Sequence, residues 1–143
     1  MVSKLRLCAP LAALLAWPGV SMAAELQVVV APVAHDKGAV KVVLYASPET
    51  FRKEDKALAV QSQPARPGEM AFTFDGLAEG RYAVVAYHDE NGNGQLDRFL
   101  GMIPTEGWGL SNNPEVSGPP QFEPSAFTVS ETQPARIAIG LRY

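Results

Sequence analysis

Phe74-Asp75-Gly76-Leu77, followed after two residues by Gly80-Arg81-Tyr82-Ala83-Val84-Val85-Ala86-Tyr87-His88, is the stretch that decides the fold. Upstream of it Met70, Phe72 and Phe74 recur at every second position. Period-two spacing of large apolar residues puts them on one face of a strand. Asp75-Gly76 is a turn pair, because both residues tolerate the tight backbone a reversal needs. A compact turn leaves Leu77 and Tyr82 free to pack inward.

The same alternation appears on either side. Leu26, Val28 and Val30 face one way, and Val40, Val42 and Leu44 do so again after the turn His35-Asp36-Lys37-Gly38. The two runs read as a hairpin of β-branched strands. Pro48 to Ala57 is charged and reads as a solvated excursion with a helical turn or two around Phe51. Leu58-Ala59-Val60 is a short strand candidate before the Pro64–Gly68 breakers, and the chain from residue 100 to Pro124 is rich in Gly, Pro and Asn. Phe127-Thr128-Val129 and Ile137–Leu141 close the domain. The expectation is all-β: a single antiparallel β-sandwich of about seven strands with no long helix.

The first residues read as a secretory signal. Lys4 and Arg6 form a positive start, Leu7 to Trp17 is apolar, and Ser21-Met22-Ala23 places small residues before a cut after Ala23. The apolar run is too short for a bilayer core, which needs roughly 20 residues in a helix. Cys8 stands at the very start of that run, whereas a lipidated cysteine follows it. The domain plan is therefore a signal over 1–23 and one domain over 24–143, periplasmic or secreted, with no membrane span after signal removal. Taking Lys4 and Arg6 from the 12 basic residues leaves 10 against 15 acidic ones, a formal charge of −5. That balance disfavours nucleic acid and anionic membrane surfaces as partners. The single cysteine leaves with the signal, so the core or a metal ion must hold the domain.

One segment carries a chemical signal. Asp89, Asn91, Asn93 and Asp97 set oxygen-bearing side chains at positions 1, 3, 5 and 9 of a loop, with Gly94 at 6 and Leu96 at 8. Alternate residues of a tight loop converge on one point, and calcium wants six to eight oxygens. The Gln95 carbonyl is the backbone ligand of this pattern, and Glu90, Glu106 or a water supplies the missing oxygen. Leu100 stands where an EF-hand has its bidentate glutamate, and a strand rather than a helix leads in. Two loop carboxylates set the affinity at about 10⁻⁴–10⁻³ M. The plain alternative is that Asn91-Gly92 and Asn93-Gly94 are turn pairs.

Taken together, Phe74-Asp75-Gly76-Leu77, Gly80-Arg81-Tyr82, His88 to Gly94, Leu96-Asp97, Ile103-Pro104, Glu106-Gly107-Trp108-Gly109, Ser111-Asn112-Asn113, Pro119-Pro120 and Ala126-Phe127 stand in an order that resembles the bacterial exported family catalogued as domain of unknown function 2141. The "F-x-G-L-x-x-G-x-Y" element is also similar to collagen-adhesin B-type and transthyretin-like sandwiches. The resemblance implies kinship and brings no activity with it.

Trp108, Ser111, Asn112 and Asn113 are the candidates for ligand recognition, since an aromatic ring beside amides and a hydroxyl can stack on and hydrogen-bond a ligand. The alternative is that Trp108 caps the core and the asparagines make local turns. The leading expectation is an exported, non-enzymatic domain with a structural calcium loop and an unidentified ligand or protein partner. Two other readings stand beside it. One is a periplasmic enzyme using His88 and a nearby carboxylate, which lacks a second base or nucleophile. The other is a small outer-membrane barrel, suggested by Ile137, Ile139, Leu141 and Tyr143, for which too few segments reach the roughly 9–11 residues a spanning strand needs.

Overall fold

The computed structural model describes residues 23–143. The expected signal, with Cys8, lies outside the described residues but for Ala23. Ten strands form among the described residues: β1 (Ala24–Val33), β2 (Ala39–Tyr45), β3 (Ala59–Pro64), β4 (Gly68–Leu77), β5 (Gly80–Asp89), β6 (Arg98–Phe99), β7 (Ile103–Pro104), β8 (Trp108–Leu110), β9 (Phe127–Val129) and β10 (Ala135–Gly140). A 3-10 turn spans Glu54–Lys56, and α1 is a single turn at Phe122–Ser125. The fold is mostly β. The count exceeds the expected seven because β6, β7 and β8 are two or three residues long, too short to show a period.

One sheet has the order β10-β1-β4, a second has β3-β2-β5-β8 with β9 added to the start of β5, and β6 and β7 pair as a small separate sheet. Pairing is antiparallel except between β1 and β10, which run parallel from Leu26 beside Ala135 to Ala31 beside Gly140. This corrects the expectation of a wholly antiparallel arrangement. The expected hairpin is also corrected: β1 pairs with β4 and β10, while β2 pairs with β3 and β5. Alternation in β1 and β2 reports which face is buried and is silent about the neighbour. The Ala34–Gly38 connection crosses between sheets, as does Ala78-Glu79 between β4 and β5. Tyr82 braces that second crossing by donating its hydroxyl to the Ala78 carbonyl at 2.7 Å. The chain reverses there, just past the expected Asp75-Gly76, because β4 runs on to Leu77.

The core draws on both sheets. Val28, Val42, Phe72, Tyr82, Val84 and Ile139 are all buried, and they share one cluster with Leu26, Leu44 and Met70. Val28 sits beside Phe72 of β4 and Ile137 of β10 in register. Each such side chain contributes about 1.5–3 kcal/mol by leaving water.

A second cluster covers the outer face of the five-stranded sheet. Val43, Tyr45, Ala83, Tyr87 and Leu110 point that way, and Phe51 and Phe122 pack over them. Phe51 stands edge-on to both Tyr45 and Phe122, with ring centroids 5.4 and 5.8 Å apart. The charged excursion thus does more than lie in solvent: it delivers Phe51 as a partial lid. Central strands β2 and β5 are apolar on both faces for this reason.

Candidate functional site

Asp89 ends β5 and is 3 % exposed, so the acidic loop begins inside the protein. Its Oδ1 accepts the backbone N–H of Asn93 at 3.1 Å and its Oδ2 that of Gly94 at 2.8 Å. Gly92 and Gly94 take φ of 72° and 82°, the left-handed region that glycine enters without strain. The Asn91 and Asn93 side-chain carbonyls accept the N–H groups of Asn93 and Gln95, both at 3.0 Å. Their amide nitrogens donate to the two oxygens of Asp97, at 2.5 and 2.7 Å.

Glu106 comes from beyond the loop and is 6 % exposed. Its Oε1 accepts the Glu90 N–H at 2.8 Å and its Oε2 the Asp97 N–H at 3.0 Å. Asp89, Asn91, Asn93, Asp97 and Glu106 are therefore joined in one hydrogen-bonded loop. Gln95 also lines the neighbouring cavity. Among the described residues no Lys, Arg or His forms an ion pair with Asp89, Asp97 or Glu106. The Gly94 carbonyl ties the loop to the sheet, accepting from Lys41 Nζ at 2.9 Å and from the Tyr87 hydroxyl at 3.3 Å.

Beyond this loop the chain makes the small β6–β7 hairpin, which forms one wall of a cavity of about 690 Å³ on the outer face of the five-stranded sheet. Val43, Tyr45, Val85, Tyr87, Trp108 and Leu110 form its sheet side, and Met102 and Ile103 face them from the hairpin. That volume lies within the range of small-molecule sites, about 300–1,000 Å³. Tyr87 donates its hydroxyl to Glu54 at 2.8 Å, and Lys41 pairs with the other oxygen of Glu54. Burial, then the hydrogen bond to Glu54, drive the Tyr87 phenol well above its ordinary range.

Of the four residues expected to bind a ligand, only Trp108 lines the main cavity. Ser111 is buried, accepting from the Val84 N–H at 2.9 Å and donating to the Ser125 carbonyl. Asn112 donates to the Ala126 carbonyl at 2.7 Å. Asn113 clamps β10, donating to the Ala138 carbonyl at 3.0 Å and accepting from the Gly140 N–H at 2.8 Å. These three side chains spend their polar groups on the chain's own backbone.

A third cluster went unread in the sequence. His88 is wholly buried, donates Nε2–H to the Lys37 carbonyl at 2.7 Å and accepts at Nδ1 from the Tyr143 hydroxyl at 2.9 Å. The Tyr143 oxygen in turn accepts the Ala34 N–H at 2.9 Å. His35 lies against His88 with ring centroids 4.5 Å apart and meets Glu90 at 2.5 Å. His35, His88 and Glu90 are close enough to share a metal ion. Both nitrogens of His88, however, are already committed to protein partners, so the cluster works as a latch between the first crossover, β5 and the C-terminus. Gly107 allows it, since a Cβ there would meet the Tyr143 ring at 2.5 Å.

A family model described as "Uncharacterized protein conserved in bacteria (DUF2141)" matches residues 28–137. The chain belongs to that family. No curated protein and no solved structure matches it.

Proposed function

We propose that this chain is an exported, non-catalytic binding module, its two sheets packed as a collagen-adhesin B-type or transthyretin-like sandwich, whose 89–97 loop holds calcium and thereby fixes the hairpin that walls the cavity. The observation that carries the reading is the burial of Asp89 and Glu106, with no cationic side chain among the described residues paired to either, at the root of that wall. A buried carboxylate costs several kcal/mol unless charge or hydrogen bonds compensate it. Here N–H groups alone do so, and the Asn91 and Asn93 amides stand against Asp97 where a cation would stand. Calcium takes over that role, with Asp89, Asn91, Asn93, the Gln95 carbonyl, Asp97 and Glu106 as the oxygen set.

Two further features support the reading. Both His88 nitrogens are held by protein partners, Lys37 and Tyr143, which speaks against its use as a base. The signal cut expected after Ala23 falls at the edge of β1, so processing leaves that strand whole. Calorimetric titration with calcium chloride tests the site. Wild type should bind with a Kd of about 10⁻⁴–10⁻³ M and Asp97→Asn should bind more weakly by tenfold or so. No heat from wild type at about 10 mM calcium contradicts the proposal.

A further inference from the structure

Tyr45 differs from the other tyrosines. It is 2 % exposed, lines the cavity, and its ring is pinned edge-on by Phe51. Its hydroxyl makes no hydrogen bond among the described residues, whereas those of Tyr82, Tyr87 and Tyr143 all do. Among the described residues no polar side-chain atom is sealed from solvent without a partner, so the Tyr45 hydroxyl is left to the cavity space. Burial first, then the Glu54 and Asp55 charges against those of Arg98 and Arg52, push it up to about 12. It is a hydrogen-bond donor throughout the neutral range.

Charge around that hydroxyl is unbalanced. Arg52 and Arg98 line the cavity and act on Tyr45, yet neither forms an ion pair among the described residues. Among the described residues Glu54 is the only carboxylate in the lining, and Lys41 and Tyr87 occupy its two oxygens. Asp55 acts on Tyr45 from outside the lining. Arg52 also holds φ at 67°, a left-handed backbone that costs a non-glycine residue energy. Such strain gathers at ligand clamps. Both arginines are exposed and stand at the cavity rim; a cationic ligand would find Glu54 taken and be repelled by them, whereas an anionic one gains from both.

We propose that the cavity binds a small amphipathic acid, its carboxylate held by Tyr45, Arg52 and Arg98 and its apolar body laid between Tyr87, Trp108 and Val85. The inference rests on the cavity being a ligand site, as the proposed function has it. A carboxylate offers two oxygens to the forked guanidinium donors and to the phenol. The apolar walls supply the area term, and the charged rim sets the orientation.

Calorimetric titration of the full chain with decanoate, decan-1-ol and decylammonium, at matched ionic strength, tests it. Decanoate should bind about tenfold tighter than the alcohol, with the ammonium weakest. Tyr45→Phe and Arg98→Ala should each weaken decanoate several-fold and leave the alcohol unchanged. Equal binding of all three probes, indifferent to both substitutions, would overturn the acid and leave the cavity as a ligand site. Binding of none of them to a chain folded by circular dichroism would overturn the cavity reading itself.

Discussion

Glu106 Oε2 accepts the backbone N–H of Asp97 at 3.0 Å while its other oxygen holds that of Glu90 at 2.8 Å, so one buried side chain closes the acidic loop at both ends. Removing it takes the acceptor from three amides at once, those of Glu90, Asn91 and Asp97. Glu106→Ala should destabilise the domain by about 1–3 kcal/mol, the cost of leaving buried groups unsatisfied. Glu106→Gln retains one acceptor and should cost less. Urea unfolding of the two variants checks the order, and a silent Glu106→Ala would show that the loop closes without it.

Tyr143 reaches the far side of the same region. Its hydroxyl satisfies both His88 Nδ1 and the Ala34 N–H, each at 2.9 Å. Tyr143→Phe keeps the ring against Gly107 and removes only the oxygen. The expected loss is about 1–3 kcal/mol, because the buried His88 nitrogen is left bare. Denaturant midpoints of wild type and variant measure it.

High pH should unfold the protein through its phenols. The Tyr45 pKa is raised from 10.0 to about 12, and Tyr87 is raised further, in both cases first by burial. A raised native pKa means the folded state holds the proton more tightly than the unfolded one. The stability linked to these groups is therefore complete below pH 10 and is lost as pH climbs from 10 through the native values. Tyr87→Phe should flatten the decline, read from denaturant midpoints between pH 9 and about 12.

The alternation of Met70, Phe72 and Phe74, or of Leu26, Val28 and Val30, was legible because burial of one strand face writes a period of two into the sequence. Strand partners were not legible: Val42 faces the same core as Val28 whether or not their strands pair. The acidic loop was legible because its side chains converge within nine residues. Even so, the way Glu106 holds it depends on a return of the chain that no spacing rule encodes. The cavity was hidden for the same reason, since Tyr45, Tyr87 and Trp108 meet only when β2, β5 and β8 lie side by side. Its one local sign was the unbroken apolar run Val42-Val43-Leu44-Tyr45, where a one-faced strand would alternate. Ser111, Asn112 and Asn113 carry ligand-like chemistry in sequence, and their geometry turns that chemistry onto the backbone.

The central claim is that calcium holds the 89–97 loop, and the most direct measurement is a thermal melt in calcium against chelator for wild type and Asp89→Ala. A ligand bound only by the folded state adds about 1.4–2.7 kcal/mol at about 10 mM when Kd is about 10⁻⁴–10⁻³ M. For a domain of this size that is a rise in Tm of about 5–10 °C. Magnesium should give a smaller rise, since it demands tight octahedral geometry and sheds water reluctantly. Asp89→Ala and Asp97→Ala should melt alike with and without calcium. His88→Ala should lower both curves and keep the gap between them. Wild type melting at one temperature in calcium and chelator would contradict the account and leave the loop a pair of Asn-Gly turns.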